Sequence, residues 1–180
     1  VTVQSSAPFP SGVGRPITDR AYWTGLASQE AFKKVLGEAE QVRSRPVPEQ
    51  SDDLFLDFSR TGNRTHWQSV AFARRGLLTT LVLAECLEDR GRFVPKIEEL
   101  VAALAAERTW VMPAHDGALE NFHGKTVEID LASSALGWNL ATADWLLGDR
   151  LPSATRASIR DEIAKRILRP FRDMATGQRP

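Results

Sequence analysis

Thr79 to Ala105 reads TTLVLAECLEDRGRFVPKIEELVAALA, and the fold class turns on how this stretch is parsed. Up to Asp89, apolar side chains recur at Val70, Leu77, Leu81 and Ala84, with Leu78, Val82 and Leu87 widening the stripe. That spacing follows the helical period and predicts a helix from about Thr65 to Asp89. Gly91 to Phe93 then turns the chain. Pro95 suits a first helical turn, where a missing N–H has no intrahelical partner to lose. Ile97, Leu100, Val101, Leu104 and Ala105 recur at i, i+3, i+4, i+7 and i+8, which predicts a second helix.

The same parsing extends outward. Toward the C-terminus, VEIDLASSALGWNLATADWLLGD is apolar on more than half its circumference and is expected to be the most buried helix. The closing segment places Ile159, Ile163, Ile167 and Phe171 on one stripe. Asp161/Lys165 and Glu162/Arg166 sit there as exposed i,i+4 pairs, and Pro170 is placed to kink or end the helix. Toward the N-terminus, DRAYWTGLA suggests a short helical turn, and Ser28 reads as the N-cap of a helix in which Glu30 pairs with Lys34. Between Pro46 and Arg64 the Pro, Asp and Gly punctuation reads as a loop, with LFLDF as an extended piece. Residues 1–18, rich in Pro, Gly and Ser, read as an extended arm. No alternating strand pattern appears. The expected class is all-α, antiparallel helical hairpins over residues 19–180.

Bulk properties narrow the function. The 23 basic residues balance the 23 acidic ones, so charge announces no nucleic-acid partner. No window holds the apolar run of about 18 residues that a membrane helix needs, and a soluble protein is expected. The single Cys86 makes no internal disulfide and reads as a small buried hydrophobe. No targeting peptide is visible at the start of the sequence.

Nucleophile triads, phosphate loops, dinucleotide fingerprints and the HExxH zinc pattern are not found, and no cofactor or metal is expected. His66, His115 and His123 lack helical ligand spacing. Asp130 and Asp144, 14 residues apart, fall within about 40° on one helix but about 21 Å apart along it. That is beyond the reach of a glycosidase pair, and Asp130 more simply complements the helix dipole. Trp138 and Trp145 read as core. The bend TWVMPAHD, Thr109 to Asp116, is different in composition from the helices around it. Trp110 there is equally a core ring or a sugar platform, and His115 reads as a helix cap more readily than as a donor to an acidic sugar.

Four segments, in order, resemble the N-terminal helical part of heparinase II/III-like polysaccharide lyases. They are RPVPEQSDDLFLDFSRTGNR, RRGLLTTLVLAECLEDRGRFVPKIEELVAALAAERTWVMPAHD, IDLASSALGWNLATADWLLGDRL and EIAKRILRPF, within about Ala31 to Pro180. The Trp, Pro, His, Asp bend and the DLAS helix are the most specific pieces. The resemblance implies part of an incomplete (α/α) toroid, followed in such proteins by a β-sandwich, acting on acidic polysaccharide in the periplasm or outside the cell. Members cleave uronate chains by β-elimination, with a base and carboxylate-stabilising donors placed in advance. The family's Asn/His motif and catalytic Tyr come after the helix matching EIAKRILRPFRDM, where this sequence stops. Tyr22, the single Tyr, does not match that position. The resemblance therefore implies no catalytic residue here and a chain inactive by itself. It places Trp110, His115 and Asp116 on one wall of the cleft, Asp116 being equally suited to a structural cap. A non-catalytic carbohydrate-binding or scaffold module, and part of an (α/α)-toroid glycoside hydrolase, remain the alternatives.

Overall fold

A computed structural model describes residues 12–178. The helices are α1 (Arg20–Ala27), α2 (Glu30–Arg43), α3 (Asp52–Thr61), α4 (Thr65–Glu88), α5 (Val94–Ala105), α6 (Leu131–Leu147), α7 (Ser153–Ile163) and α8 (Arg169–Ala175). A π-helical segment, Ala164–Leu168, joins the last two. The described residues contain no strand, so the class is all-α. None of their helices is long and apolar enough to cross a membrane.

The two helices read from Thr79–Ala105 are α4 and α5, and α4 is the centre of the fold. It packs against α1, α2, α3, α5 and α6. Its end is closed by charge. Asp89 adopts the left-handed conformation (φ 53°), and Arg20 donates to the carbonyl oxygens of Cys86 at 2.7 Å and Leu87 at 3.1 Å. Buried Glu85 shapes the turn into α5 by accepting from the N–H groups of Gly91 at 2.5 Å and Phe93 at 3.0 Å. Leu78, Leu81, Ile97, Leu100, Leu104, Leu136, Leu140 and Ile159 fill the main core. A smaller core stacks Phe55 on Phe122 at 5.0 Å, with Trp67 edge-on to Phe55.

Several sequence expectations are corrected. LFLDF is helical, lying inside α3: Ser51 accepts from Leu54 N–H at 3.3 Å as N-cap, and Gly62 closes the helix at φ 75°. The punctuation read as a loop is the pair of caps on a short helix. Ser28 ends α1 rather than starting α2, which begins after Gln29. Glu30 pairs with Lys33 at 3.1 Å, the i+3 neighbour, instead of Lys34. Of the arm, residues 1–11 lie outside the described residues. Residues 12–18 run along α6, where Ile17 N–H donates to Leu146 O at 2.7 Å and Trp145 Nε1 donates to Gly14 O at 3.4 Å.

Helix α6 is buried on one side only. Ala132, Leu136, Gly137, Leu140 and Ala143 face inward, whereas Leu131 and Trp138 face solvent, Trp138 at 59% exposure. Trp138 is thus not core, because no element of the described chain covers that face. The stripe expected on the last helix also breaks. Ile159 is buried and Ile163 and Ile167 are packed against the core, but Phe171 is exposed. The π segment supplies the reason. One extra residue in the turn rotates everything after it by about 100°. It also accommodates Pro170, whose ring would otherwise crowd the carbonyl four residues back, and the helix continues to Ala175. Gly137 permits the close approach of α6 to this segment, since a Cβ there would lie 3.1 Å from Ile167 Cγ1. Asp161 and Lys165 do not form the expected pair. Glu162 and Arg166 do, at 2.5 Å, but Arg166 is buried.

Candidate functional site

The bend between α5 and α6 is held by side chains bonded to backbone. Trp110 is 1% exposed; its Nε1 donates to Leu104 O at 2.9 Å, and the Arg166 guanidinium lies over its ring at 5.0 Å. The indole's N–H edge and one of its faces are therefore used inside the protein, and the ring is closed to solvent. Thr109 Oγ1 accepts from Val111 N–H at 3.1 Å, which tightens the corner.

Asp130 gathers the second half. One carboxylate oxygen caps α6 by accepting from Ser133 N–H at 2.7 Å, while Ser133 Oγ accepts from Asp130 N–H at 2.8 Å. The other oxygen accepts from Met112 N–H at 2.9 Å and meets His115 Nδ1 at 2.8 Å. Burial raises the Asp130 pKa, but the bonds from Met112, Ser133 and His115 outweigh it and hold the carboxyl below its ordinary value. With Nδ1 committed, Nε2 is the His115 nitrogen left to a ligand.

Asp116 has a different task. Its buried carboxylate accepts from Asn121 N–H at 3.1 Å, Asn121 Nδ2 at 3.3 Å and Phe122 N–H at 2.8 Å. Asn121 in turn receives Glu128 N–H at 2.7 Å. This carboxylate closes the loop from residue 116 to 128. The structure brings His115 to a surface cleft, while Trp110 and Asp116 build the corner behind it.

Two adjoining cavities flank the bend. The larger, about 820 Å³, is lined by His115, Glu120, Ile129, Phe171 and Met174. The smaller, about 260 Å³, has Trp110 in its lining together with Arg108, Asn121, Lys165 and Arg166. Val111, Thr126, Val127 and Glu128 line both, so the two adjoin across the corner. Arg166 is spent on backbone carbonyls and Arg108 Nε on Asp52 at 2.7 Å. Exposed Lys165, 3.9 Å from Glu162, is the most accessible of the three cations.

The other candidates separate. His66 pairs with Asp57 at 2.8 Å, and His123 packs edge-on to Phe122. Asp144, at the far end of α6 from Asp130, is held by Arg156 at 2.6 Å and Arg160 at 2.8 Å. Phe171 and Glu120, which line the His115 cavity, and Lys165, at the smaller one, were not singled out as site residues in the sequence, because only the π-turn and the loop place them at the bend. A buried charge cluster also escaped sequence reading. Arg74 Nε lies 3.3 Å from Glu107 Oε1, both nearly inaccessible, with Arg75 donating to Ala132 O at 3.2 Å beside them. Burial pushes the Glu107 carboxyl up despite the surrounding arginines. Adjacent arginines on a helix read as surface, and only the fold turns both inward.

Comparison of the sequence with protein-family models gives no match, and comparison with curated proteins gives none either.

Proposed function

We propose that this chain is the helical N-terminal portion of a polysaccharide lyase built on an (α/α) toroid, and that the cleft at the Thr109–Asp116 bend is one wall of its binding site for uronate-containing glycan. The observation that carries this reading is the presence of two complementary chemistries in the adjoining cavities of the bend. Lys165 stands at the smaller cavity, suited to a sugar carboxylate. His115, oriented by Asp130, stands at the larger one with the exposed ring of Phe171, suited to hydroxyls and a pyranose face. The outward apolar side chains Leu131, Trp138 and Leu168 support the toroid, since a further helical hairpin would cover them. A β-sandwich partner domain and a periplasmic or extracellular setting go with the same reading. The β-elimination itself is assigned to groups outside this chain, and Trp110, His115 and Asp116 shape or line the cleft without reacting.

Titration of the chain with uronate tetrasaccharides, followed by calorimetry, tests the proposal. Saturable binding is expected, weakened about tenfold by His115→Ala and by Lys165→Ala, with no unsaturated uronate released. Binding unaffected by both variants, or robust turnover, would overturn it. A second reading, part of a toroid glycoside hydrolase, is favoured by Glu120 and Glu128 in the cleft lining, where carboxylates suit a neutral glycan. Preference for neutral over uronate oligosaccharides would select that reading.

A further inference from the structure

A separate cavity lies on the other side of α4, between α2, α5 and the segment from Arg45 to Pro48. Its volume is about 450 Å³, within the roughly 300–1,000 Å³ of small-molecule sites. Val42, Val47, Leu77, Leu81 and Leu100 supply an apolar floor. The strap over it is anchored where Arg74 Nη1 donates to Pro48 O at 3.1 Å.

Charge decides what such a floor would take. Arg45 lines the cavity, and its exposed guanidinium has no side-chain partner among the described residues. Lys96 also lines it; its side chain is only 12% exposed and pairs with Glu99, itself outside the lining. Glu38 is the single carboxylate in the lining, against these two cations. An apolar body with one anionic head satisfies both features, because the alkyl part leaves water while the head meets a guanidinium that has no other claim on it. We infer that this cavity binds a monomeric amphiphile of that chemistry, a medium-chain alkyl carboxylate, at a site independent of the glycan cleft.

Gly76 makes the inference testable. It lies within α4 and lines the cavity, and a Cβ added there meets nothing within 4 Å. Gly76→Leu thus adds an isobutyl group at the cavity's lining, where its Cβ meets no neighbour, and its melting temperature is expected to match or exceed that of the parent chain.

The experiment is calorimetric titration of the 180-residue chain with octanoate, decanoate and decanol below their aggregation limits. One saturable site is expected, with affinity rising about fourfold per added CH₂. Decanol should bind about tenfold more weakly than decanoate, Arg45→Gln should remove that difference, and Gly76→Leu should abolish both. Equal binding of acid and alcohol, or binding that survives Gly76→Leu, overturns the inference. So does retention on anionic phospholipid vesicles without binding of monomeric decanoate, which would assign the face to a membrane surface. A concentration-dependent dimer blocked by Gly76→Leu would assign it instead to a second copy of the chain.

Discussion

Arg166 donates through Nη2 to the carbonyl oxygens of Glu107 at 2.7 Å and Ala105 at 3.1 Å, closing the end of α5 from 59 residues further along the chain. Through Nη1 it also reaches Arg108 O at 3.2 Å. The last carbonyls of a helix lack intrahelical donors, and a buried end without partners is costly.

Arg166→Met is expected to destabilise the chain by about 3 kcal/mol, since it orphans three carbonyls and uncovers the Trp110 ring. Arg166→Lys should recover less than half of this, because an ammonium does not reproduce the planar fork. Urea unfolding of both variants checks the prediction; a loss under about 0.5 kcal/mol for Met would refute it.

The Asp130 network predicts a pH dependence. Its folded pKa is lowered, so its contribution is fully present above the unfolded value of about 3.9 and is lost as pH falls through the folded one. The stability gap between the parent chain and Asp130→Asn should therefore hold from pH 7 to about 5 and shrink below about 4. A gap that stays constant down to pH 3 would show that the charge is immaterial.

The tryptophans should part sharply. Trp110→Ala removes a fully buried ring and is expected to cost about 3–5 kcal/mol. Trp138→Gln, on the open face of α6, should stay within about 0.5 kcal/mol of the parent while lowering any tendency to associate. Denaturant midpoints and sedimentation velocity read both effects.

Cys86 is buried and its thiol is pushed up to about 12, chiefly by burial, with the neighbouring Glu85 charge adding to it. Alkylation at pH 8 should be negligible in the folded chain and should proceed at the rate of opening as denaturant is added. Prompt labelling without denaturant would contradict the packing described for α4.

Periodicity, Pro95 and Gly91 were sufficient to read α4 and α5, because those features act within a few residues of themselves. The main-core residues Leu81, Leu100 and Leu104 were legible for the same reason. Helix α3 was hidden because its caps, Ser51 and Gly62, resemble loop residues when the ten residues between them show no long stripe. Of the site, His115 was visible by its composition alone. Its partner Asp130 was read as a dipole complement, and the second role, joining Met112 and His115, has no local signal.

The sequence by itself determined the all-α class, the limits of α4 and the chemical singularity of the bend, since hydrophobic spacing and capping chemistry are short-range. Only the tertiary structure decided which faces became interior. It turned Arg74, Arg75 and Arg166 inward, left Trp138 outside, and used a π-turn to bring Phe171 to the cavity that His115 lines. Those outcomes depend on which helix lies across the way, and no count of residues along one helix contains that information.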